Sequence, residues 1–446
     1  MSIMASLSRW LPRFPGARVQ RSAGHVAILW IGAMGGSGSV LLINVLVARA
    51  LGAAEFGVYS SVYAISSGLS LAASFGIAQF WLKAFGEEGW AARRWLWPSL
   101  KAQGIIAALS VGGMLAWAQW GPHDPLTRMM LRIMILYLIG QIALEIVSAK
   151  LQLSERYPVL AIWQAAPNLL RLAIFIALLS GSLFPFTLLT VAVVYGIVGL
   201  LMVVAVIAEV ARLLRGDFNL VGHDVNTIEA AEAEVSVTRV LRESWPFGAA
   251  SVVAFVYLQL DIVMVNYLAG DEAAGYYGVA LSIMTAAIVL PGILYQKYLL
   301  PKYHRWANHD PLRLKRLNRT GSFCSFFCGL TVALAIILTS WLLIPIIFGS
   351  NFSRSIPIAN FLSLTLPFYF LSYNSGAVLV ATGGIQPKLW AMVGAAILNV
   401  ASNVILIPKM GLDGAIISKG VAYLVLCASY LLFVRRHFGP QIEEAK

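Results

Sequence analysis

The sequence predicts an all-α protein that crosses a membrane many times, and its composition and hydropathy are the evidence. Of its 446 residues, 59% are hydrophobic and 12% are charged, and the mean hydropathy is +0.79. Soluble globular chains carry about 25% charged residues, so a soluble enzyme or binding domain is excluded. Uncharged runs cover residues 56–82, 172–208, 320–353 and 355–387. Each run meets or exceeds the roughly 20 residues that cross a hydrocarbon core.

Charged residues, prolines and glycines divide the chain into about twelve predicted transmembrane helices. Each span is expected to be helical because a backbone in lipid must satisfy its own hydrogen bonds. The long uncharged runs are divided where a break occurs, as at Gly181 and Pro185. The predicted spans are 25–49, 57–82, 98–120, 128–151, 158–180, 184–212, 245–268, 275–300, 320–348, 355–382, 387–408 and 412–434.

Two pseudo-symmetric six-helix lobes are expected, at residues 25–213 and 245–436. A basic tail at 1–24 and a short tail at 437–446 flank them, and a cytosolic linker at 214–244 joins them. With both tails in the cytosol, 25 of the 32 Lys and Arg residues fall in cytosolic segments, as the positive-inside rule requires. Membrane orientation, rather than nucleic-acid binding, therefore explains the net charge of +12.

An internal repeat relates the two predicted lobes. The turn Gly52–Tyr59 has the pattern Gly–x4–Gly–x–Tyr, and Gly270–Tyr277 repeats it at an offset of 218 residues, close to half the chain. A weaker match joins Pro158 to Pro387, each of which opens a span. Because six spans are an even number, the second lobe enters the membrane in the same orientation as the first. A path for cargo is then expected between the lobes.

Three stretches carry a resemblance to a known family. The first is Ala48–Tyr59, the second runs from Trp245 through Asp261 to Pro301, and the third covers Asn399–Ile416. On these residues the chain resembles the Wzx-type polysaccharide-unit flippases of the multidrug/oligosaccharidyl-lipid/polysaccharide (MOP) exporter superfamily. The resemblance implies a MATE-like fold of two six-helix bundles around a cationic central cavity.

The same resemblance implies a transporter rather than an enzyme. Such flippases turn undecaprenyl-pyrophosphate-linked oligosaccharides across a bacterial inner membrane by alternating access, for O-antigen, exopolysaccharide or capsule synthesis. The implied partners are this lipid-linked oligosaccharide, membrane lipids, a polysaccharide polymerase and a chain-length regulator, with no nucleic acid. No cofactor is expected beyond a coupling H⁺ or Na⁺, since the sequence has neither a Gly-rich phosphate loop nor a metal-ligand pattern.

The fifth span carries the first candidate site. Gln164, Asn168 and Arg171 lie on one face of the predicted helix. Uncharged sequence surrounds Arg171 on both sides, which places it near the middle of the membrane. A guanidinium there suits binding of pyrophosphate. The alternative is an internal ion pair with Glu145 or Asp261.

Weaker candidates lie on the first and fourth spans. Arg49, at the outer end of the first span, is expected to bind cargo, to reach the interface or to pair with Glu55. On the fourth span Arg132, Gln141 and Glu145 are nine and four residues apart and predict a second polar stripe. Arg132 is close enough to the span boundary to reach the interface.

Asp261 is the most notable acid within a span. Together with Glu145 it is a candidate for ion coupling or gating, by accepting a proton or Na⁺ or by pairing with a cavity arginine in one conformation. A permanently neutral or paired carboxylate is the alternative. Asn399 and Asn403 share a helical face and are expected to hydrogen-bond between helices. Lys419 is a further polar group of the second lobe.

Three other functions remain to be distinguished. A multidrug/cation antiporter of the same superfamily would need acidic residues in its cavity, whereas this sequence has few acids and several arginines within spans. A flippase for a lipid-linked peptidoglycan precursor is a further alternative. A membrane glycosyltransferase or polymerase would need a large outer loop with clustered catalytic residues, and the predicted outer loops are short.

Overall fold

Helices make up the structure, a computed structural model that describes residues 16–181, 185–220, 235–292, 294–295 and 299–443. Within these ranges there is no β-strand. Most of the predicted basic tail and the centre of the predicted linker lie outside the described residues.

The helices are numbered here in chain order. Those of the first half are α1 (Gly16–Ser74), α2 (Ile77–Glu88), α3 (Leu96–Trp120), α4 (Pro125–Leu153), α5 (Tyr157–Ser180) and α6 (Leu188–Arg215). Those of the second half are α7 (Val237–Ala269), α8 (Asp271–Gly292), α9 (Leu300–His309), α10 (Pro311–Phe348), α11 (Ser355–Ser363), α12 (Leu366–Ala381), α13 (Ile385–Met410) and α14 (Leu412–Glu443).

The lengths and apolar character of the helices confirm the all-α, polytopic class. Among the described residues, nine helical runs are long and apolar enough to cross a membrane, or ten if the bent pair α11 and α12 forms one span. One of the nine, Met34–Trp120, contains 87 residues and covers most of the first three predicted spans. The predicted total of twelve is therefore not confirmed by this count.

The spans predicted at 57–82 and 355–382 are each interrupted in the structure. The span predicted at 57–82 ends at Ser74, because Phe75 and Gly76 have left-handed φ angles of 47° and 68° and the separate helix α2 follows. The span predicted at 355–382 consists of two helices, α11 and α12, that are bent by 42° relative to each other. Neither break coincides with a charged residue, which is why hydropathy did not locate it.

A kink divides α1 into two arms. At Gly52 the backbone has φ 79° and ψ −177°, a conformation that a residue with a Cβ rarely adopts. The first arm precedes Gly52 and contains the first predicted span, and the second arm runs from Ala53 to Ser74. The glycine that begins the sequence repeat is therefore required for the turn between the first two spans.

The two halves contact each other at the two copies of the Gly–x4–Gly–x–Tyr repeat. A Cβ on Gly57, in the second arm of α1, would lie 1.9 Å from the carbonyl oxygen of Asp271 on α8. A Cβ on Gly275 would likewise lie 1.9 Å from the carbonyl oxygen of Ala53. Ala53 and Asp271 occupy equivalent positions of the repeat, as do Gly57 and Gly275. The repeat thus forms a close and symmetric contact between the halves, the Gly57 contact.

A second close contact lies at the other end of the same arm. A Cβ on Gly76 would lie 2.4 Å from the backbone nitrogen of Gly248 on α7, and a Cβ on Gly248 would lie 2.8 Å from the carbonyl carbon of Phe75. Small residues of this kind let membrane helices approach at the backbone level. The second arm of α1 therefore touches the second half at both of its ends.

Candidate functional site

A cavity of about 250 Å³ lies between the halves, bounded by both arms of α1 and by α7 and α8. Neutral hydrogen-bonding side chains line it together with apolar ones, and none of the described lining residues is charged. Hydroxyl and amide groups both donate and accept, so this lining suits a polar, uncharged ligand group. The polar lining residues are Ser37, Asn44, Tyr59, Ser60, Tyr63, Gln259, Ser282 and Thr285.

Four side chains form a hydrogen-bonded chain through the wall of this cavity. Asn44 Nδ2 donates to Ser282 Oγ at 3.0 Å, which joins α1 to α8. The hydroxyl of Tyr59 donates to Asn44 Oδ1 at 3.2 Å. It also lies 2.8 Å from the hydroxyl of Tyr195 on α6. A ligand that binds Asn44 or Ser282 must therefore compete with a hydrogen bond between the two halves.

Arg171 lies behind this wall, against aromatic rings. Its guanidinium carbon is 4.6 Å from the ring centre of Tyr195 and 5.1 Å from that of Tyr137. Its Nη1 donates to Asn168 Oδ1 at 2.8 Å. The ring of Tyr63, which lines the cavity, is centred 5.6 Å from the ring of Tyr195. We define the tyrosine cluster as Tyr59, Tyr63, Tyr137 and Tyr195.

No carboxylate balances the charge of Arg171 in the described part of the chain. The residue is 2% exposed, and its Nε and Nη2 have no hydrogen-bond partner there. The ion pair with Asp261 or Glu145 is not formed: Asp261 pairs with Lys419, and the half-buried Glu145 lies beside the hydroxyl of Ser74. An isolated buried cation is costly and marks a functional candidate in a membrane protein.

The structure brings only part of the predicted stripe of the fifth span together. Asn168 accepts a hydrogen bond from Arg171, as their spacing on one helix face predicts. Gln164 lies on the same helix but is exposed. The Arg171 site is completed instead by tyrosines from three other helices, which the stripe does not include.

The other predicted residues lie away from the cavity lining. Arg49 is exposed and donates to the carbonyl oxygen of Ile346 at 3.0 Å, at the end of α10. Arg132 is exposed and donates to Gln119 at 2.7 Å, and Gln141 is half-buried on α4. These contacts make Arg49 and Arg132 links between helices. The alternative pair of Arg49 with Glu55 is absent from the described residues.

Asp261 lies in a fully buried polar network of the second half. Its Oδ2 is 2.5 Å from the ammonium of Lys419, and it accepts from the hydroxyl of Tyr277 at 3.2 Å. Its Oδ1 accepts from Asn403 Nδ2 at 3.1 Å, and Asn403 Nδ2 also lies 3.3 Å from Asn399 Oδ1. The network joins α7, α8, α13 and α14. The prediction of interhelical bonding is confirmed for Asn403, whereas Asn399 bonds to Asn403 on its own helix.

Sequence reasoning missed three parts of these sites. It did not connect Lys419 to Asp261, because the two residues are 158 positions apart. It did not include the tyrosine cluster, because its four residues come from three helices and no spacing within one helix connects them. It also missed Asn44, although a lone amide within the first span was a detectable signal.

A second cleft between the halves is apolar. Its volume is about 540 Å³, and it lies along the second arm of α1, α3 and α7. Leu69, Phe75, Ile106, Leu109 and Trp245 are among its lining residues. The second arm of α1 thus borders both a polar cavity and an apolar cleft.

Sequence comparison identifies a family, whereas structural comparison identifies the fold. Residues 24–301 match the family described as "Polysaccharide biosynthesis protein". No curated protein matches the sequence. The structure is similar to the lipid II flippase MurJ in an inward closed conformation, with a TM-score of 0.72 at 14% identity, covering 93% of this chain and 88% of that one.

Two transporters show the same fold. An inward-facing multidrug resistance MATE family transporter of the MOP superfamily has a TM-score of 0.65 at 16% identity. The match covers 99% of this chain and 99% of that one. A MOP superfamily transporter from Pyrococcus furiosus, described as having a binding pocket of reversed polarity, has a TM-score of 0.57 at 15% identity. It is matched over 93% of this chain and 95% of its own. These similarities establish the predicted MATE-like fold.

Proposed function

Because the chain belongs to the polysaccharide biosynthesis protein family of the MOP superfamily, we propose that it is a flippase for undecaprenyl-pyrophosphate-linked oligosaccharides. It turns these units across the bacterial inner membrane by alternating access, with both termini in the cytosol. The flipped units supply surface polysaccharide synthesis through a polymerase and a chain-length regulator. The single observation that carries the choice of an anionic cargo is the unbalanced charge of Arg171 behind a neutral polar cavity.

The neutral lining supports binding of the sugar part of the cargo. Sugar hydroxyls both donate and accept hydrogen bonds, and Asn44, Tyr59, Gln259 and Ser282 offer matching groups. The apolar cleft on the same arm of α1 supports a cargo that also has a lipid chain. A polar cavity and an apolar cleft that share one helix arm fit an amphiphilic substrate.

Arg171 supports binding of the pyrophosphate. Two unit charges interact by about 4 kcal/mol at 4 Å for an effective dielectric constant of 20, and the energy falls inversely with distance. An unpaired guanidinium behind one layer of tyrosine therefore attracts an anion in the cavity even without contact. When the tyrosine cluster separates, the unpartnered Nε and Nη2 can donate two parallel hydrogen bonds to a phosphate.

The multidrug/cation antiporter alternative is less well supported by the cavity. A cation would be favoured by an acidic lining, and none of the described lining residues is acidic. The buried acid Asp261 is already paired with Lys419. The peptidoglycan-precursor alternative shares the diphosphate and sugar chemistry, so only the identity of the cargo distinguishes it from the proposal.

The experiment is a chromosomal deletion complemented with matched arginine variants. Arg171→Gln is expected to lose surface polymer and to accumulate the complete lipid-linked oligosaccharide on the cytosolic leaflet, measured by mass spectrometry and by leaflet exposure in spheroplasts. Arg132→Gln is the control, because Arg132 is exposed and bound to Gln119 outside the cavity. Normal polymer in well-expressed Arg171→Gln cells would contradict the role of Arg171. A deletion strain with unchanged lipid-linked sugars but increased dye sensitivity would instead indicate the antiporter.

A further inference from the structure

The Asp261 network contains an ammonium group where a buried carboxylate would otherwise attract a free cation. Lys419 is 1% exposed and Asp261 is 0% exposed. Besides the carboxylate, the Lys419 ammonium donates to the carbonyl oxygen of Leu258 at 2.8 Å. It also lies 5.6 Å from the ring centre of Tyr423. The positive charge is thus held by a carboxylate, a backbone carbonyl and an aromatic ring.

Oxygen atoms of this type are also ligands for hard monovalent cations. Transporters of other folds bind Na⁺ near the middle of the membrane with backbone carbonyl oxygens. Here Asn399 and Asn403 add amide groups beside Asp261, and Asn403 Oδ1 is a buried acceptor with no partner among the described residues. The oxygens of Asp261 and Leu258 are ligands of the kind that a cation site uses, and the ammonium of Lys419 contacts both of them.

The negative charge of Asp261 is balanced by the positive charge of Lys419, whereas the positive charge of Arg171 has no counter-charge among the described residues. Among the described residues Asp261 and Lys419 pair only with each other. Removing one partner of a buried ion pair leaves an uncompensated charge, which strongly destabilises a protein. The Asp261 site therefore needs one cation at all times, and a tethered ammonium supplies it without any ion from solution.

We propose that Lys419 is the resident cation of the Asp261 site, which excludes Na⁺ from it in the native protein. Removal of the ammonium then leaves a vacant site that takes one Na⁺ per chain. This inference does not depend on which cargo is transported. It also means that Asp261 does not couple transport by binding Na⁺.

The test measures Na⁺ binding to the purified full-length chain in detergent. Melting temperature and binding of radioactive Na⁺ are compared in sodium chloride and in choline chloride of equal ionic strength. Wild-type protein is expected to show no Na⁺-specific shift. Lys419→Ala is expected to bind about one Na⁺ and to melt several degrees higher in sodium than in choline. The double variant Lys419→Ala with Asp261→Asn is expected to lose both effects.

Each outcome decides the proposal. Na⁺ binding to the wild type that Asp261→Asn abolishes would overturn it, and so would a folded Lys419→Ala variant that binds no Na⁺. If Lys419→Ala does not fold in either salt, Lys419→Ser also removes the ammonium and leaves the site vacant, and it is measured in the same way. A Lys419→Ser variant that is stable only in sodium supports the proposal, and equal stability in both salts overturns it.

Discussion

Replacing Gly57 with alanine should open the contact between the two halves. The added Cβ would lie 1.9 Å from the carbonyl oxygen of Asp271, whereas ordinary van der Waals contact begins at 3.4 Å. The second arm of α1 and α8 must therefore separate locally by about 1.5 Å. Because the obstacle is backbone rather than a flexible side chain, rotamer changes cannot relieve it.

The energy of this clash sets the size of the expected effect. Overpacking of a tight interior typically costs about 1–3 kcal/mol. If the cost falls on the state in which Gly57 and Asp271 touch, the equilibrium moves away from that state by about 5-fold to 150-fold. The fold itself should survive, since the halves move apart without losing their internal packing.

Labelling of a cysteine in the cavity measures this shift. Ser60 lines the cavity and lies one helical turn from Gly57. In a background without the three native cysteines, Ser60→Cys is treated with a hydrophilic maleimide in detergent. Gly57→Ala should raise the labelling rate by the factor given above, and Gly275→Ala should have the same effect because it meets the carbonyl oxygen of Ala53 at 1.9 Å.

The matched control lies on the same helix. Gly38 is in the first arm of α1, and a Cβ there would have no atom within 4 Å. Gly38→Ala should therefore leave the labelling rate of Ser60→Cys unchanged. If Gly57→Ala also labels at the parent rate, with an unchanged melting temperature, then the Gly57 contact does not hold the halves together and the reasoning is refuted.

Three further predictions concern the buried polar groups. Arg171→Lys keeps the charge but loses the stacking of the planar guanidinium on tyrosine. Because a cation–π contact contributes about 0.5–2 kcal/mol, export in the complementation assay should fall about twofold to thirtyfold. Full export would show that the charge alone suffices. Tyr59→Phe removes the hydroxyl that links Asn44 to Tyr195. Because a hydrogen bond contributes about 0.5–1.5 kcal/mol, export should fall about twofold to twelvefold. Unchanged export would contradict a role for this hydroxyl. Asp261→Asn leaves the ammonium of Lys419 unpaired and should cost about 3–5 kcal/mol of stability. A thermal melt in choline chloride checks this loss, which Lys419→Met should partly reverse in the double variant.

The sequence was sufficient for the features that depend on local chemistry. Uncharged apolar runs predicted the all-α membrane class, and the Gly–x4–Gly–x–Tyr repeat marked Gly57 and Gly275, which meet in the structure. The shared face of Asn168 and Arg171 was also correct. These properties follow from spacing along one helix or from hydropathy, and both can be determined from the sequence without knowledge of tertiary contacts.

The partners of the buried charges could not be predicted in the same way. Lys419 could pair with any of several acids, and its choice of Asp261 depends on how α14 packs against α7. The tyrosine cluster is assembled from α1, α4 and α6, so no spacing in one helix reveals it. The break after Ser74 depends on the positive φ angles of Phe75 and Gly76, of which only Gly76 gives a turn signal in the sequence.

The equivalent positions of the repeat show how the two halves have diverged. Tyr59 and Tyr277 match in the repeat, and each hydroxyl joins the buried polar network of its own half. Tyr59 leads to a cluster that holds Arg171, which has no counter-charge among the described residues, whereas Tyr277 donates to an acid that Lys419 neutralises. An anion that enters the cavity is therefore attracted toward Arg171 of the first half, while the Asp261 network of the second half is neutral overall. In the alternating access that we propose, one lobe rocks against the other, and this asymmetry of charge holds an anionic cargo on the first lobe.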